Sequence, residues 1–425
     1  MSARRASCDV AVIGAGPAGV AAAVSAAASG RRVIVLDEGL GPGGQIWRPS
    51  IHGPPPSAAR HWLARFEAAH IDIRRSTSVF DVRSDDRSGL TVSAYHEGEA
   101  IELNARAVIL ATGARERFLP FPGWTLPNVF GVGGAQALYK AGVLFRDKRV
   151  VIAGSGPLLL PVAASLARSG AKLALVAEQA SPASVRRFAM SLWRKPATLV
   201  QAAVLRSAFF KTSYATGTWI ESARGDGSVR EVTITNGSTT RTLACDVLCV
   251  AFGLVPNVEI ARLLGCEVEH GMVTVDATQA TSVSGVYCAG EPTGIGGVDA
   301  AIVEGEIAGL AAAGQSVPQA LVAKAERLRR DAATLDAAFA LRAELRTLAK
   351  PETIVCRCED VRLRDLNPDW TARQAKLYTR AGMGPCQGRI CGAALESVMG
   401  WTADSVRPPV QPVRLASFIN DPSAT

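Results

Sequence analysis

At 425 residues, with a formal net charge of +8 and 48% hydrophobic residues, the chain is long enough for two or three domains with real cores, and it is no disordered polymer. Its arginines are scattered or interleaved with acids, and no basic stripe carries aromatics, which argues against nucleic acid as a partner. No window reaches the roughly 18 consecutive apolar residues of a membrane span, and no secretory signal is read at the N-terminus, so a cytoplasmic, reducing location is expected.

The first predicted element is a β-branched strand, Asp9 to Ile13, followed by Gly14-Ala15-Gly16-Pro17-Ala18-Gly19, an Ala-rich helix to about Ser29, and a strand from Arg32 to Leu36. Strand, glycine loop, helix and strand in one unit form the fingerprint of a dinucleotide site. Gly14 permits the tight turn, Gly16 lets the backbone approach a pyrophosphate, Gly19 lets helix and strand pack, and phosphates rest on the helix start at Pro17 and Ala18. Asp37 ends the second strand, where a ribose-binding acid belongs; Glu38 takes that role if the register lies one residue later. Gly44 and Gln45 follow soon after and are placed to pass beside a flat ligand. Val79 joins the same cofactor-binding group. Thr112-Gly113 and Gly290-Glu291 each close a predicted strand, where open α/β sheets bind ligands, and Glu291 is expected to accept from a sugar-alcohol hydroxyl.

A second βαβ unit opens at Val150 with Gly154-Ser155-Gly156, but Leu159 stands where the third glycine belongs. Glu178 ends its second strand. This site is left open between NAD(P), another adenine nucleotide such as ATP, and a unit kept for structure. Because the motifs of the first unit resume after the second, one domain is inserted in the other. The expected bounds are 1–125 with 245–320 for the first, 126–244 for the second, a helical connector at 321–350, a cysteine domain at 351–410, and a tail at 411–425, extended from Pro408 onward.

Nine cysteines and five histidines are present. Cys245 and Cys249 share a strand face too far apart to pair, and Cys8, Cys266 and Cys288 read as small buried residues. Cys356-Arg357-Cys358 and Cys386 to Cys391 are different: two close thiol pairs form a four-thiolate site. A 2Fe–2S cluster is the reading preferred, with structural zinc and a disulfide pair as alternatives. A flavoprotein has a use for a one-electron relay, whereas zinc has no redox chemistry.

Several of these runs resemble one family. Gly43-Gly44-Gln45-Ile46-Trp47-Arg48, Ala111-Thr112-Gly113-Ala114-Arg115-Glu116, Phe121-Pro122-Gly123-Trp124, Gly154 to Leu160, Phe252-Gly253-Leu254-Val255-Pro256-Asn257 and Gly382 to Cys391 look like the FAD subunit of heteromeric amino-acid dehydrogenases. That group includes the A-type subunit of opine oxidase, the B-type subunit of hydrogen cyanide synthase, and the α subunits of D-hydroxyproline and L-proline dehydrogenases. The resemblance spans nearly the whole chain. It implies an α/β, thioredoxin-reductase-like flavoprotein with two dinucleotide-binding domains and a small helical domain like that of a bacterioferritin-associated ferredoxin. It further implies FAD in the first site, a 2Fe–2S cluster on Cys356, Cys358, Cys386 and Cys391, and an FMN between subunits. The amine would be oxidised on a flavin-bearing β subunit, with a small, ferredoxin-like γ chain as a further partner and any membrane contact made through partners. The alternative is a free-standing NAD(P)H-dependent reductase feeding a ferredoxin or quinone. No substrate and no catalytic residue is assigned from the sequence.

Overall fold

The computed structural model of the chain describes residues 4–85, 89–402 and 406–414. The first unit is built on β1 (Arg4–Ile13), helix α1 (Pro17–Ala28) and β2 (Val33–Leu36), then α2 (Ser57–Ala68), β3 (Asp72–Arg74), β4 (Thr77–Asp85), β5 (Gly89–His96) and β6 (Glu99–Leu110). Its sheet runs β3-β2-β1-β6-β5-β4, and a strand from far along the chain, Val286–Cys288, adds in parallel to β6. Pairing is parallel from β3 through β6 and antiparallel across the β6-β5-β4 meander. Residues Val10–Ile13 are buried on both faces, as a central parallel strand requires.

The second unit follows through β7 (Ala114–Glu116), β8 (Val129–Gly131), α3 (Val132–Lys140), β9 (Arg149–Gly154), α4 (Leu159–Arg168), β10 (Lys172–Glu178), α5 (Pro182–Ser191), α6 (Pro196–Ser207) and β11 (Tyr214–Thr216). A three-strand meander over residues 219–244 leads to β12 (Val247–Ala251), and its sheet runs β11-β10-β9-β12-β8. This corrects the expected boundary at 245. The strand Val247–Ala251 lies between β9 and β8, so the second unit extends through Ala251. The hydrophobic run gave no sign of which sheet it would join, because a strand buried on both faces reads the same in either. The antiparallel pairing of β7 with Leu254–Pro256 forms a short ribbon where the chain passes between the units.

Helix α7 (Gly297–Ala312) returns to the first unit and lies against α1. The two approach backbone to backbone: a Cβ at Gly305 would fall 2.2 Å from the Ala18 carbonyl oxygen. Helix α8 (Gln319–Ala338) and the 3-10 turn Ala343–Thr347 form the connector. The cysteine unit is mixed rather than purely helical. The strands Ile354–Cys356 and Val361–Arg362 form a hairpin, and helices α9 (Ala372–Thr379) and α10 (Cys391–Met399) pack on it. Its core is small, gathered around Val355, Val361, Leu366, Leu395 and Trp401. The described part of the tail is docked rather than free: Val410 is buried and its N–H donates to Phe80 O at 2.9 Å. The rest of the expected tail, 415–425, lies outside the described residues. No described helix is long and apolar enough to cross a membrane.

Candidate functional site

The first glycine loop sits between the carboxyl ends of β1 and β6. Gly14 has φ +103, and a Cβ there would lie 2.3 Å from Ala111 O; one at Gly19 would lie 1.8 Å from Gly14 O. Only glycine admits these contacts, which seat α1 on the sheet with its amino end facing outward. Gly16, by contrast, has nothing within 4 Å of where a side chain would begin, leaving the open approach a pyrophosphate needs. Gly44 packs against the Gly16 backbone, while Gln45 is exposed. Asp37 accepts from Ala15 N at 2.6 Å and from Gly39 N at 2.7 Å, which fixes the loop from below. Glu38 turns away, accepting from Ser78 Oγ at 3.3 Å and pairing with Gln411. Of the two acids, Asp37, the residue directly after β2, is the one that faces the glycine loop. Val79 lies on β4 beside the end of β2, with its side chain buried in the core on the far face of the first sheet.

Thr112 and Gly113 lie just after β6, and Asn257 clasps them. Asn257 Nδ2 donates to Thr112 O at 2.8 Å, Asn257 N donates to Gly113 O at 3.0 Å, and Thr112 Oγ1 donates to Asn257 O at 2.6 Å. Gly290 and Glu291 face the loop from Val286–Cys288. Their turn is held by Glu304 of α7, whose Oε2 accepts from Gly290 N and Thr293 Oγ1, each at 2.9 Å, and whose Oε1 accepts from Arg329 Nε at 3.1 Å. Glu291 Oε1 accepts from Gly297 N at 3.2 Å, but its Oε2 is buried with no partner. Burial raises the Glu291 carboxyl to about 7. A buried acceptor left over at the rim of a nucleotide cradle fits a ligand that brings a hydroxyl, as the ribityl chain of FAD does.

The four clustered cysteines meet as two contacting pairs, Cys356 with Cys391 and Cys358 with Cys386, and Cys386 also acts electrostatically on Cys391. Within the buried pair, the Cys391 thiol bonds to Cys356 and holds Cys356 below the usual thiol range, while Cys391 is pushed up. Gly382 N donates to Cys356 Sγ at 3.5 Å, and a Cβ at Gly384 would lie 2.3 Å from the Cys358 Cβ. All nine cysteines are free. Among the described residues no three His, Cys, Asp or Glu side chains converge on a single ion. Two thiolate pairs suit a two-iron cluster, which takes two thiolates at each iron. The small core around them agrees with a unit that depends on a bound group for stability.

Arg115, which the sequence offers only as part of a run, links the first glycine loop's surroundings to the cysteine unit. Its Nη1 donates to Asn257 Oδ1 at 2.7 Å and pairs with Glu259 at 2.9 Å, and its Nε donates to Arg389 O, inside the Cys386–Cys391 loop, at 3.0 Å. Trp124 Nε1 fastens the same unit, donating to Ile354 O at 2.6 Å. Glu304, Asn257 and Trp124 are likewise functional supports that the sequence left without a role. Asn257 and Trp124 act over 145 and 230 residues and Glu304 over 11 to 25, with no local pattern to show them.

At the second glycine loop, Glu178 is 0% exposed. Its oxygens accept from Gly156 N and Ala180 N, each at 2.8 Å, and burial lifts its carboxyl to about 7. Gly154 is wedged against Ala251 O, and Leu159 is fully buried at the start of α4. A cavity of about 540 Å³ opens away from the glycine loops, among Ser7, Asp9, Arg32 and Asn104, and none of the candidate site residues lines it.

Residues 8–305 match the family described as pyridine nucleotide-disulphide oxidoreductase. The opine oxidase A subunit of Agrobacterium tumefaciens is 32% identical over 97% of this chain and 92% of its own length. The HcnB subunit of hydrogen cyanide synthase from Pseudomonas aeruginosa is 30% identical over 96% of this chain and 98% of its own. Among solved structures, L-proline dehydrogenase from P. horikoshii superposes with a TM-score of 0.70 at 21% identity, covering 98% of this chain and 80% of that one. Thioredoxin reductase from T. acidophilum reaches 0.57 at 23% identity over 72% of this chain and 98% of that one.

Proposed function

Since the chain belongs to the pyridine nucleotide-disulphide oxidoreductase family and is an FAD-dependent oxidoreductase, we propose that it is the electron-transfer subunit of a heteromeric dehydrogenase. Its donor is a secondary-amine amino acid of the opine, proline, hydroxyproline or glycine type, oxidised on a partner flavoprotein. Both curated relatives are named as one subunit of a larger enzyme, which supports a complex of several chains. The observation that carries the reading is the hydrogen-bonded chain from Thr112 through Asn257 and Arg115 to Arg389. It ties the rim of the flavin cradle to the loop between Cys386 and Cys391.

Bound FAD supplies two-electron chemistry that divides into single electrons, and a 2Fe–2S cluster on the four thiols supplies a one-electron carrier. The chain's own residues do the positioning. Gly14, Gly16 and the start of α1 receive the pyrophosphate, with Asp37 keeping the loop in shape for the ribose. Glu291 offers its unpartnered oxygen to a hydroxyl, and Glu304 holds the turn that aims it. Arg115 sets the distance between cradle and thiols, and distance governs the rate of electron transfer.

The test is turnover of the purified chain alone and together with its co-expressed partner. Amine oxidation, followed with an artificial acceptor, is expected only in the complex. An isolated chain that oxidises D-hydroxyproline or an opine unaided would sink the assignment.

A further inference from the structure

The second dinucleotide unit has an occupant already, and it is the chain itself. Ligands of an open α/β sheet bind outside the carboxyl ends of its strands. In this unit those ends are Gly154-Ser155 at the end of β9 and Glu178-Gln179 at the end of β10. The connector crosses that place just after α8. Ser155 Oγ donates to Phe339 O at 2.8 Å. Gln179 is 2% exposed and donates from Nε2 to Ser155 Oγ at 2.7 Å and to Ala340 O at 3.1 Å. Its Oε1 accepts from Arg342 N at 3.1 Å. The Arg342 guanidinium lies over the Trp219 ring at 3.5 Å, and Phe339 meets Phe188 edge to face at 5.2 Å.

Two further features agree. The ribose position is withdrawn, because Glu178 is fully buried, whereas Asp37, which also accepts from two backbone amides, stays half-buried at its loop. The helix also starts late: α1 begins directly after Gly16, whereas α4 begins at the third residue after Gly156. Leu159 N and Leu160 N bond back to Gly156 O and Pro157 O, each at 3.2 Å, which spends amides that a phosphate would use. Gly156 itself faces open space, so the seal lies on Ser155 and Gln179 rather than on the turn.

We propose that the connector Phe339–Arg342 seals this unit against NADH and NADPH, and that Ser155, Gln179 and Arg342 determine that refusal. Electrons then enter this chain from another protein and not from a pyridine nucleotide.

The experiment uses the full chain with excess FAD, titrated calorimetrically with NADH and with NADPH, beside amide hydrogen exchange over residues 335–345. Wild type is expected to show no saturable binding and strong protection at Arg342 N. In the Gln179→Ala/Arg342→Ala variant, exchange at that amide should rise about tenfold or more, as expected when a buried hydrogen bond is lost. The variant should also gain saturable NADH binding, and a folded variant whose connector amide exchanges freely but which still binds no NADH would overturn the assignment of the refusal to these residues. Saturable binding of either nucleotide to wild type at micromolar concentration overturns it, as does an unprotected connector amide in wild type. Either failure would leave the amine-dehydrogenase reading standing, since that depends on partner-linked turnover.

Discussion

Arg115 and Arg389 meet through a 3.0 Å hydrogen bond from the guanidinium Nε of one to the backbone carbonyl of the other. A cation thus reaches a carbonyl, and its Nη1 serves Asn257 and Glu259. Desolvation acts against this charge and Glu259 acts in its favour. Removing Arg115 strands both a carboxylate and a carbonyl. Arg115→Ala should therefore destabilise the chain by about 3 kcal/mol, the usual cost of breaking a largely buried pair. Arg115→Lys, which keeps the charge and loses the fork, should fall between the two. The urea midpoint of each variant checks this, and equal midpoints for all three would refute the coupling.

Glu291 is the point at which the flavin cradle tests itself. Its free Oε2 should cost the empty protein and benefit the loaded one. Glu291→Ala is expected to weaken FAD by ten- to a hundredfold, matching the roughly 1.5–3 kcal/mol of a hydrogen bond to a charged group. Flavin absorbance per chain after dialysis reads this directly. Retention equal to wild type would show that the oxygen faces no ligand.

Cys386→Ser should abolish bound iron and acid-labile sulfide together. Metal analysis finding about one zinc per chain in wild type, with neither iron nor sulfide, would replace the cluster by a structural ion.

Glu178 gives a pH signature. Its folded carboxyl titrates near 7 because it is buried, against an ordinary value of 4.5. The folded state therefore holds the proton more tightly than the unfolded state. Stability from this group is full below 4.5, falls as pH rises toward 7, and is level above that. The total is about 3 kcal/mol at 1.36 kcal/mol per pH unit. Glu178→Gln should remove that slope, whatever it does to absolute stability. Thermal melts of both proteins between pH 4.5 and 7 check it, and parallel curves would show that the carboxyl ionises without penalty.

Much of this was legible in the chain. Gly14 to Gly19, Asp37 and the four clustered cysteines announce themselves because their chemistry is local: a turn, a helix start, a pair of thiols a few residues apart. Gly290-Glu291 was legible as a strand exit, though not the unpartnered oxygen. The rest is set by chain return. Gln179 looks like any residue after a strand until Phe339–Arg342 arrives from some 160 residues away. Val247–Ala251 could have joined either sheet, and only its pairing with β9 decides. Glu38 and Asp37 differ by one position, and what separates them is Ser78 on a neighbouring strand.

The cysteine unit is attached on both sides. Before it, the connector is fixed to the second unit at Gln179. After it, Val410 is fixed to the first unit at Phe80, with Arg389 Nη2 donating to Val410 O at 2.8 Å. Two lobes joined by a thin ribbon are ordinarily free to swivel about it. Here a third body spans them like a brace, so swivelling would mean undocking one end. The relative placement of the lobes is therefore tied to the cysteine unit at Gln179 on one side and at Phe80 on the other.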